Sequence, residues 1–513
     1  MVPFPVPSGS YRDLAVVKDG VVWIEVADRG GELGATRAGV TGEAPSDVLW
    51  HYNLSARHLD KLCERVDTFS VSGDGERLVV RHRDDTIVVP SSHKVDDDDP
   101  AYIRVDLTRL RRTVNPRAEW RQMFDENGRL MASHYWREDM NGVDWDSVLN
   151  RYRPLVDLCH VVDDLHDILW ETVAELNTSH SYVSASGAAG DSDMRAGLLG
   201  ADVSSGNDGA KVVRVIPGES SDPRAWSPLR AAGVAVTEGD VIVAVDGRKV
   251  GADGNLGELL EGSAGRVVEL TVRRGENERQ VAVVPMADEA PLRYHDWVAS
   301  RRRYVEEHSG GRLGYLHVPD MVSDGWAELH RQIGEATRHE GVIADVRFNH
   351  GGHTSQLVVE RLARRVVGWD YSRWYATADT YPQNAVRGPI VMVTNQWAGS
   401  DGDIVAAATQ AMGYAKVIGE RSWGGVVGID GRFDLVDGTS VTQPRYAGWY
   451  GSYGWGVENH GVDPDIVVTV SPEDWEADRD VQLDAAIAEC LRQLDDKPAA
   501  TAPELPGPAF DRC

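Results

Sequence analysis

The sequence predicts a multidomain α/β protein, and three observations lead to that prediction. The chain has 513 residues, which is too many for one hydrophobic core. Its first 95 residues read as short strands between turns, whereas residues 292–495 alternate apolar strands with amphipathic helices. Hydrophobic residues make up 42% of the chain and charged residues 26%, as in ordinary globular proteins. We therefore expect several folded domains rather than disorder or a fibre.

Charge and cysteine content limit the partners and the compartment. The chain carries 53 Lys and Arg against 81 Asp and Glu, a formal net charge of −28, which disfavours nucleic acid and anionic membranes as partners. The N-terminal segment lacks the features of a secretory signal, and no apolar run is long enough to span a bilayer. The four cysteines show no Cys-x-x-Cys spacing, which favours free thiols in a reducing compartment. We expect a cytoplasmic protein.

Residues 1–95 are predicted to form short strands. The turn at Ser72–Leu78 contains Asp74-Gly75, which supplies the positive φ angle that a hairpin needs. Strand–turn–strand units of this kind resemble the blades of a β-propeller. There is room for about two blades, and a closed propeller needs at least four, so we expect an incomplete, C-terminal piece of one. The predicted strands are 11–17, 20–26, 48–54, 67–72, 76–82 and 85–90.

A helical domain is predicted at 101–184, after an acidic linker at 96–99. Apolar residues recur at spacings of three and four over 116–136 and 145–176, which is typical of amphipathic helices. One face of the second helix carries side chains of the types that bind metals, but their spacing does not give tight ligand geometry, so we expect no metal and no dissociable cofactor. Those residues are Cys159, His160, Asp163 and His166.

A small β-rich module is predicted at 195–287. The phrase Leu229–Val234, followed by Glu238–Gly247, resembles the turn and strand pattern of PDZ domains. A PDZ groove adds a peptide as an extra strand and holds its C-terminal carboxylate in a nest of backbone N–H groups. Gly197–Gly200 is the candidate nest.

Residues 292–495 are predicted to form a largely parallel sheet with crossover helices, followed by a tail at 496–513. In such a sheet the functional loops lie at the carboxyl ends of the strands. The predicted strands are 312–319, 340–348, 388–395 and 414–421, and the predicted helices are 325–339, 354–368 and 400–413.

Two of these loops carry residues suited to catalysis. A helix begins at or just after Ser400, so its hydroxyl lies beside free N–H groups that suit a developing oxyanion. The alternative is that Ser400 only caps the helix. Asn349–Ser355 repeats the arrangement, with glycines that allow close approach of a substrate backbone. The alternative there is a glycine-rich turn that caps the next helix.

Four segments fall in the order in which tricorn proteases carry them: Asn177–Tyr182, Asn349–Gly352, Ala398–Asp403 and Val457–Asp465. The domain series also resembles that family, with a propeller remnant, a helical C1-like domain, a PDZ-like domain and a C2-like (crotonase-like) α/β domain. The resemblance covers nearly the whole chain. It implies a serine peptidase that trims short peptides released by larger proteases and assembles as a hexamer.

The resemblance also assigns roles to residues that composition could not single out, since the chain has 16 histidines. Ser400 matches the family's nucleophile and His180 its general base, while Ser179 and Glu458 complete a tetrad. In that arrangement the imidazole donates to Ser179, which donates to Glu458, and this carboxylate steadies the imidazolium formed during attack.

Three further positions follow from the same resemblance. The backbone N–H groups of Gly352 and Asp401 match the oxyanion donors. Asp370, in the phrase Gly368-Trp369-Asp370, best matches an acidic residue that favours basic side chains before the scissile bond. His350 stands where family members commonly have glycine, which would narrow the oxyanion loop.

The sequence excludes one alternative and leaves a second one open. C-terminal-processing peptidases share the PDZ and α/β modules but use a Ser–Lys dyad, and their lysine position corresponds to Gly425 here, so that dyad is absent. Most tricorn-like chains carry two propellers, whereas this one starts inside what resembles the end of the second. The second hypothesis is therefore a non-catalytic, PDZ-type peptide-binding scaffold whose hydrolysis was lost with the shortened N-terminus.

Overall fold

The computed structural model describes residues 6, 8–27, 46–83, 85–111, 113–185, 194–251, 255–374, 377–430 and 433–505. The chain divides into two compact units, 1–114 and 115–513. The predicted C-terminal tail, 496–513, lies partly outside the described residues. No helix in the described ranges is both long and apolar enough to cross a membrane.

The first unit consists of two antiparallel four-stranded sheets, in the orders β1-β2-β3-β4 and β5-β6-β7-β8. Alternating apolar residues such as Ile24, Leu49 and Leu78 form its core. The last strand lies within the region that was predicted to be helical, since Ile103 pairs with Val88. The strand has only two residues, which is too short for an alternating pattern to be seen in the sequence. The strands are β1 (Tyr11–Val17), β2 (Gly20–Glu25), β3 (Val48–Asn53), β4 (His58–Glu64), β5 (Thr68–Val71), β6 (Arg77–His82), β7 (Asp85–Pro90) and β8 (Ile103–Arg104).

The second unit begins with three helices, α1 (Pro116–His134), α2 (Trp145–Val156) and α3 (Val162–Ala174). The single helix predicted over 145–176 is in fact broken between α2 and α3. The Asp164 carboxylate accepts the backbone N–H groups of His160 at 2.7 Å and Val161 at 3.2 Å, which starts a new helix. The three helices bury an apolar core that ends just before the Asn177–Tyr182 segment.

The PDZ-like module is a six-stranded antiparallel sheet. Its strands run in the order β10-β11-β12-β14-β15, and β13 pairs with β12. The inward-facing residues are small and β-branched, with Val212, Ile242 and Leu270 fully buried. The elements, after a short strand β9 (Val183–Ser184), are β10 (Ala201–Gly206), β11 (Gly209–Val215), β12 (Val241–Val245), β13 (Arg248–Lys249), α4 (Leu256–Leu259), β14 (Val268–Arg274) and β15 (Asn277–Val283).

The remainder of the second unit confirms the predicted parallel α/β sheet. Five strands pair in parallel in the order β16-β17-β20-β21-β25. The elements are α5 (Ala290–His308), β16 (Leu313–His317), α6 (Ser323–Ala336), β17 (Gly341–Asp345), α7 (Ser355–Leu362), β18 (Gly368–Asp370), β19 (Asp379–Tyr381), β20 (Ile390–Thr394), α8 (Asp401–Met412), β21 (Ala415–Gly419), β22 (Gly428–Asp430), β23 (Ser440–Val441), β24 (Gln443–Tyr446), β25 (Ile466–Val467), α9 (Pro472–Glu476) and α10 (Val481–Asp496).

Helices cover both faces of this sheet. One apolar cluster joins α6, α7 and α8 to one face, and a second joins α5 and α10 to the other. Because the strands are parallel, the turns after β17 and β20 meet at the same carboxyl edge. The short pair β9–β23 brings the end of the helical domain to this sheet, since Val183 lies opposite Val441.

Candidate active site

Ser400 occupies a strained turn between β20 and α8. Its φ angle is 56° and its ψ angle −119°, a conformation that side-chain-bearing residues rarely adopt. Its side chain makes no capping hydrogen bond to the helix. The interpretation of Ser400 as an ordinary N-cap therefore does not hold, and strain of this kind is typical of functional turns.

The glycine turn after β17 packs directly on Ser400. A Cβ placed on Gly351 would lie 2.5 Å from the Ser400 Cβ, so only glycine fits there. The buried Asn349 holds the two turns together, because its backbone oxygen accepts the Gly399 N–H at 3.0 Å and its side chain accepts the Gly351 N–H at 2.9 Å. The two loops predicted to form a split oxyanion site are thus in contact.

Both predicted oxyanion donors belong to this junction. Asp401 is the first residue of α8, and Gly352 has a φ angle of 147°, which favours glycine, and forms a β-bridge with Met321. Within the described ranges, neither backbone N–H donates to another group. His350, the residue expected to narrow this loop, is exposed.

His180 lies in a second strained turn, after α3. Its φ angle is 60°. Thr442 fixes the turn, since its hydroxyl donates to the His180 backbone oxygen and accepts the Tyr182 N–H at 2.7 Å. The Asn459 side chain donates to the Asn177 backbone oxygen at 2.7 Å and secures the other end. Residues far apart in sequence therefore hold the imidazole in place.

A hydrogen-bonded chain runs from His180 to Glu458. The Ser179 hydroxyl lies 3.0 Å from the His180 Nδ1 atom and 3.0 Å from the Glu458 Oε2 atom. Glu458 also accepts the backbone N–H groups of Ser179 at 2.7 Å, Val426 at 2.8 Å and Val427 at 3.0 Å. The carboxylate is therefore stabilised by neutral donors and oriented toward the imidazole.

Trp423 links the histidine turn to the serine turn. Its ring meets the His180 ring edge-on, with centroids 5.5 Å apart and an interplanar angle of 82°. It also packs on Gly399, where a Cβ would come within 2.6 Å of the indole. No hydrogen bond joins His180 to Ser400 in this structure. Such bonds are often long in ligand-free enzymes and shorten when a substrate binds.

Comparisons with known proteins agree with this architecture. Residues 312–468 match the model of peptidase family S41, residues 197–288 that of the tricorn protease PDZ domain, and residues 116–174 that of the tricorn protease C1 domain. Tricorn protease homolog 1 of Streptomyces coelicolor is 55% identical over 511 residues, which cover 99% of this chain and 48% of the relative. The chain belongs to the tricorn protease family.

Two further comparisons match at lower identity. The tricorn protease of Thermoplasma acidophilum is 34% identical over 493 residues, which cover 96% of this chain and 45% of the relative. The crystal structure of the tricorn protease superposes with a TM-score of 0.87 at 32% identity, covering 96% of this chain and 47% of that one. The chain spans about half the length of the curated relatives it matches.

One predicted site residue of this tricorn family member is not beside Ser400. Asp370 ends β18, which pairs with β19 opposite Asp379. The adjoining bridge between Arg365 and Val386 places this hairpin before the start of β20, at the amino edge of the parallel sheet. Ser400 follows the end of β20, at the carboxyl edge. Within one copy of the chain, Asp370 therefore lies at the edge of the sheet opposite to Ser400.

Two cavities lie near the predicted site residues, and one of the two is lined by Glu458. One of about 560 Å³ lies beside the serine turn, and its wall includes Phe348 and Trp397. Another of about 440 Å³ reaches Glu458 and is lined by the stacked pair Trp136 and Trp455. Both volumes lie in the range of small-molecule and peptide side-chain sites. In the described part of the chain, no group of three or more His, Cys, Asp or Glu could hold a metal ion.

The candidate carboxylate nest of the PDZ-like module is already occupied. The Gly200 N–H donates to the Glu289 carboxylate at 3.2 Å, and Arg293 donates to the same carboxylate at 2.7 Å. The N–H groups of Gly197 and Leu198 donate to backbone oxygens of the module itself. A peptide carboxylate would have to displace Glu289, which weighs against the scaffold hypothesis.

We expect a peptide with a free C-terminal carboxylate to bind the parent chain no more tightly than its amide, because Glu289 fills the nest. In the Glu289→Ala variant the free acid should bind more tightly than the amide. Fluorescence anisotropy of a labelled pentapeptide in both forms measures the difference. A clear preference of the parent for the free acid would contradict this account of the nest.

The pH dependence of activity should reflect the burial of His180. Burial lowers the pKa of this imidazole below its ordinary value of 6.5, although the Glu458 charge and a hydrogen bond with Val427 oppose the shift. A lowered pKa keeps the neutral, basic form at lower pH. Peptide hydrolysis should therefore stay constant through neutral pH and fall only with a midpoint below 6.5. A kcat/KM profile with an acid midpoint above 6.5 would contradict this.

Sequence reasoning missed the residues that hold the tetrad together. Trp423, Asp403 and Thr442 all contact its turns, yet none was singled out. The sequence signal for this region is the phrase Ser422-Trp423-Gly424-Gly425. Two consecutive glycines after a tryptophan indicate that the backbone packs closely against the aromatic ring, because side chains at those positions would prevent it.

Proposed function

We propose that this chain carries the catalytic half of a tricorn-type serine peptidase. The observation that carries the proposal is the hydrogen-bonded chain Glu458–Ser179–His180, in which Ser179 and Glu458 lie 279 positions apart in sequence. A long-range arrangement of a carboxylate, a hydroxyl and an imidazole beside a strained serine turn has little structural purpose of its own. It is the arrangement that activates a serine hydroxyl.

The roles follow from the donors and acceptors. Glu458 only accepts, so Ser179 donates to it, and the same hydroxyl oxygen accepts the Nδ1–H of His180. The Nε2 atom of His180 is then unprotonated and takes the proton of Ser400 as its Oγ attacks the scissile carbonyl. The imidazolium next protonates the leaving amine, and water completes hydrolysis of the acyl-enzyme by the reverse path.

Negative charge that develops on the carbonyl oxygen needs donors already in place. Asp401 directly follows Ser400, and Gly352 follows Gly351, which packs on Ser400, so we assign these two N–H groups as the oxyanion donors. The dipole of α8 adds a partial positive charge at the same point. Each such donor contributes about 10²–10³-fold to the rate in serine peptidases.

The substrates we propose are short peptides released by larger proteases, handled in the cytoplasm by a homo-oligomer, with a hexamer as the family's precedent. We further propose that 1–95 forms the end of a β-propeller.

If Asp370 selects basic side chains, it must come from a second copy of the chain, because the hairpin β18–β19 lies at the opposite edge of the sheet. Asp370→Asn should then lower selectivity for arginine peptides only in the assembled form.

Labelling with a fluorophosphonate probe tests the proposed function. The parent should be labelled, and Ser400→Ala and His180→Ala should not, with folding of each protein checked by circular dichroism. An unlabelled but folded parent would overturn the proposal. Labelling that persists in Ser400→Ala would place the nucleophile elsewhere.

A further inference from the structure

A buried carboxylate without a cationic partner lies three residues after the proposed nucleophile. Asp403 is 0% exposed and belongs to the first turn of α8. Its carboxylate accepts hydrogen bonds from the Ser422 hydroxyl, from the Gly424 N–H at 2.8 Å and from the Gly425 N–H at 3.2 Å. Of the Lys, Arg and His side chains in the described ranges, none lies within ion-pair distance of it.

Burying the ionised Asp403 carboxylate without a cation costs free energy of folding. Burial raises the pKa of Asp403 to about 6, so at pH 8 the group is an ionised carboxylate held by neutral donors alone. Tyr450, which faces it from another loop, has a pKa raised to about 12 by burial and by the charges of Asp401 and Asp403, and stays neutral. A buried charge kept without a cation indicates a constraint beyond stability.

These three donors belong to one segment, Ser422–Val427, which we call the 422–427 loop, and the backbone N–H of Ser400 is a further donor to the Asp403 carboxylate. The loop contacts His180 and Glu458 of the proposed tetrad and the turn that leads to Ser400. Its Trp423 N–H donates to Ala398 at 3.0 Å, and the Trp423 ring packs on His180. Its last two N–H groups, of Val426 and Val427, donate to the Glu458 carboxylate. The loop therefore connects the helix that follows Ser400 to both the base and its orienting carboxylate.

We propose that Asp403 is a positioning residue of the peptidase, which fixes the His180 imidazole and the Glu458 carboxylate relative to Ser400 through the 422–427 loop. The inference rests on the proposed function and deepens it. Asp403 touches no reacting atom. Asp403 instead helps to set the distance between Ser400 and His180, which lie on different segments. The rate of a proton transfer between two such groups falls steeply when they are misplaced.

The Asp403→Asn variant tests this with little change in volume. Asparagine keeps one acceptor oxygen but replaces the other by an NH₂ group. One of the two glycine N–H groups then faces another hydrogen-bond donor, and its hydrogen bond is lost. We expect the fluorophosphonate labelling rate at pH 8 to fall about 10²-fold. The control is Asp240→Asn, which changes another buried carboxylate but one that pairs with Arg274, with Nε and Oδ1 2.6 Å apart. Asp240 is a carboxylate of the PDZ-like module that is 1% exposed and accepts the Thr237 N–H at 3.0 Å, far in the chain from the tetrad.

Amide hydrogen exchange of the 422–427 peptide gives a second readout that does not depend on labelling. In Asp403→Asn the Gly424 and Gly425 amides should exchange faster than in the parent, while Asp240→Asn leaves them unchanged. If Asp403→Asn does not fold, Ser422→Ala removes one donor and should give a smaller loss of the same kind.

The outcomes separate the two proposals. Slow labelling of Asp403→Asn with a normal rate for Asp240→Asn supports the positioning role. Equal labelling rates for Asp403→Asn and the parent overturn it. A labelling loss that is fully accounted for by the fraction of unfolded protein, in both Asp403→Asn and Asp240→Asn, also overturns it. An unlabelled parent refutes the proposed function. In that case, faster amide exchange of the 422–427 loop in Asp403→Asn still supports the link between Asp403 and the loop. Unchanged amide exchange would contradict that link.

Discussion

Peptide hydrolysis should fall about 10⁶-fold when Ser400 is replaced by alanine, and replacing His180 in the same protein should cost nothing further. The reason is that the two side chains act as one unit: without the hydroxyl there is nothing for the imidazole to deprotonate. The oxyanion donors and substrate binding remain in all variants, so a residual rate of about 10³–10⁴ over water should persist.

Steady-state kinetics with a fluorogenic tripeptide measures this, with Ser400→Ala, His180→Ala and the double variant compared at one pH. Ser204→Ala, which changes an exposed serine of the PDZ-like module, is the matched control and should behave as the parent. Additive losses in the double variant would mean that the two residues act independently. That result would contradict the tetrad.

Replacing Gly351 by alanine should lower the rate about 10³-fold, because the new Cβ would lie 2.5 Å from the Ser400 Cβ and 3.0 Å from the Gly399 oxygen. One of the two turns has to move, and either movement separates the Gly352 N–H from the nucleophile. Substrate binding away from this junction is untouched, so the loss should appear mainly in kcat.

Gly311→Ala is the control that isolates the clash. Its φ angle is 76° against 75° for Gly351, but nothing lies within 4 Å of its Cβ position. Both variants therefore carry the same backbone strain, of about 1 kcal/mol, and both should show a similar loss of thermal stability from it. If the two variants have the same activity, contact between the glycine turn and Ser400 is not needed for catalysis.

The parallel sheet could be predicted because its strands carry the signal themselves. Residues such as Val391 and Ile343 belong to continuous apolar, β-branched segments that are buried on both faces. Once the strands are assigned, topology brings the turns of Asn349 and Ser400 to one edge. The family motifs then connect these turns to His180, and the structure does assemble Ser179, His180 and Glu458.

Other features depend on contacts that no local pattern encodes. The break before α3 is made by one carboxylate, Asp164, within an otherwise helical periodicity. Trp423 and Asp403 act through a loop whose sequence indicates only a turn. The position of Asp370 was inferred from a short phrase, and the hairpin that carries it lies at the far edge of the sheet because of its pairing with β19.

A crystal structure of the chain with a covalently bound peptide phosphonate would test the central claim most directly. The account predicts a bond between phosphorus and the Ser400 Oγ, and a phosphonyl oxygen about 2.7–3.1 Å from the N–H groups of Gly352 and Asp401. It also predicts that the His180 Nε2 lies within hydrogen-bond distance of the Ser400 oxygen. An adduct on another residue, or a phosphonyl oxygen that contacts neither N–H, would contradict the account.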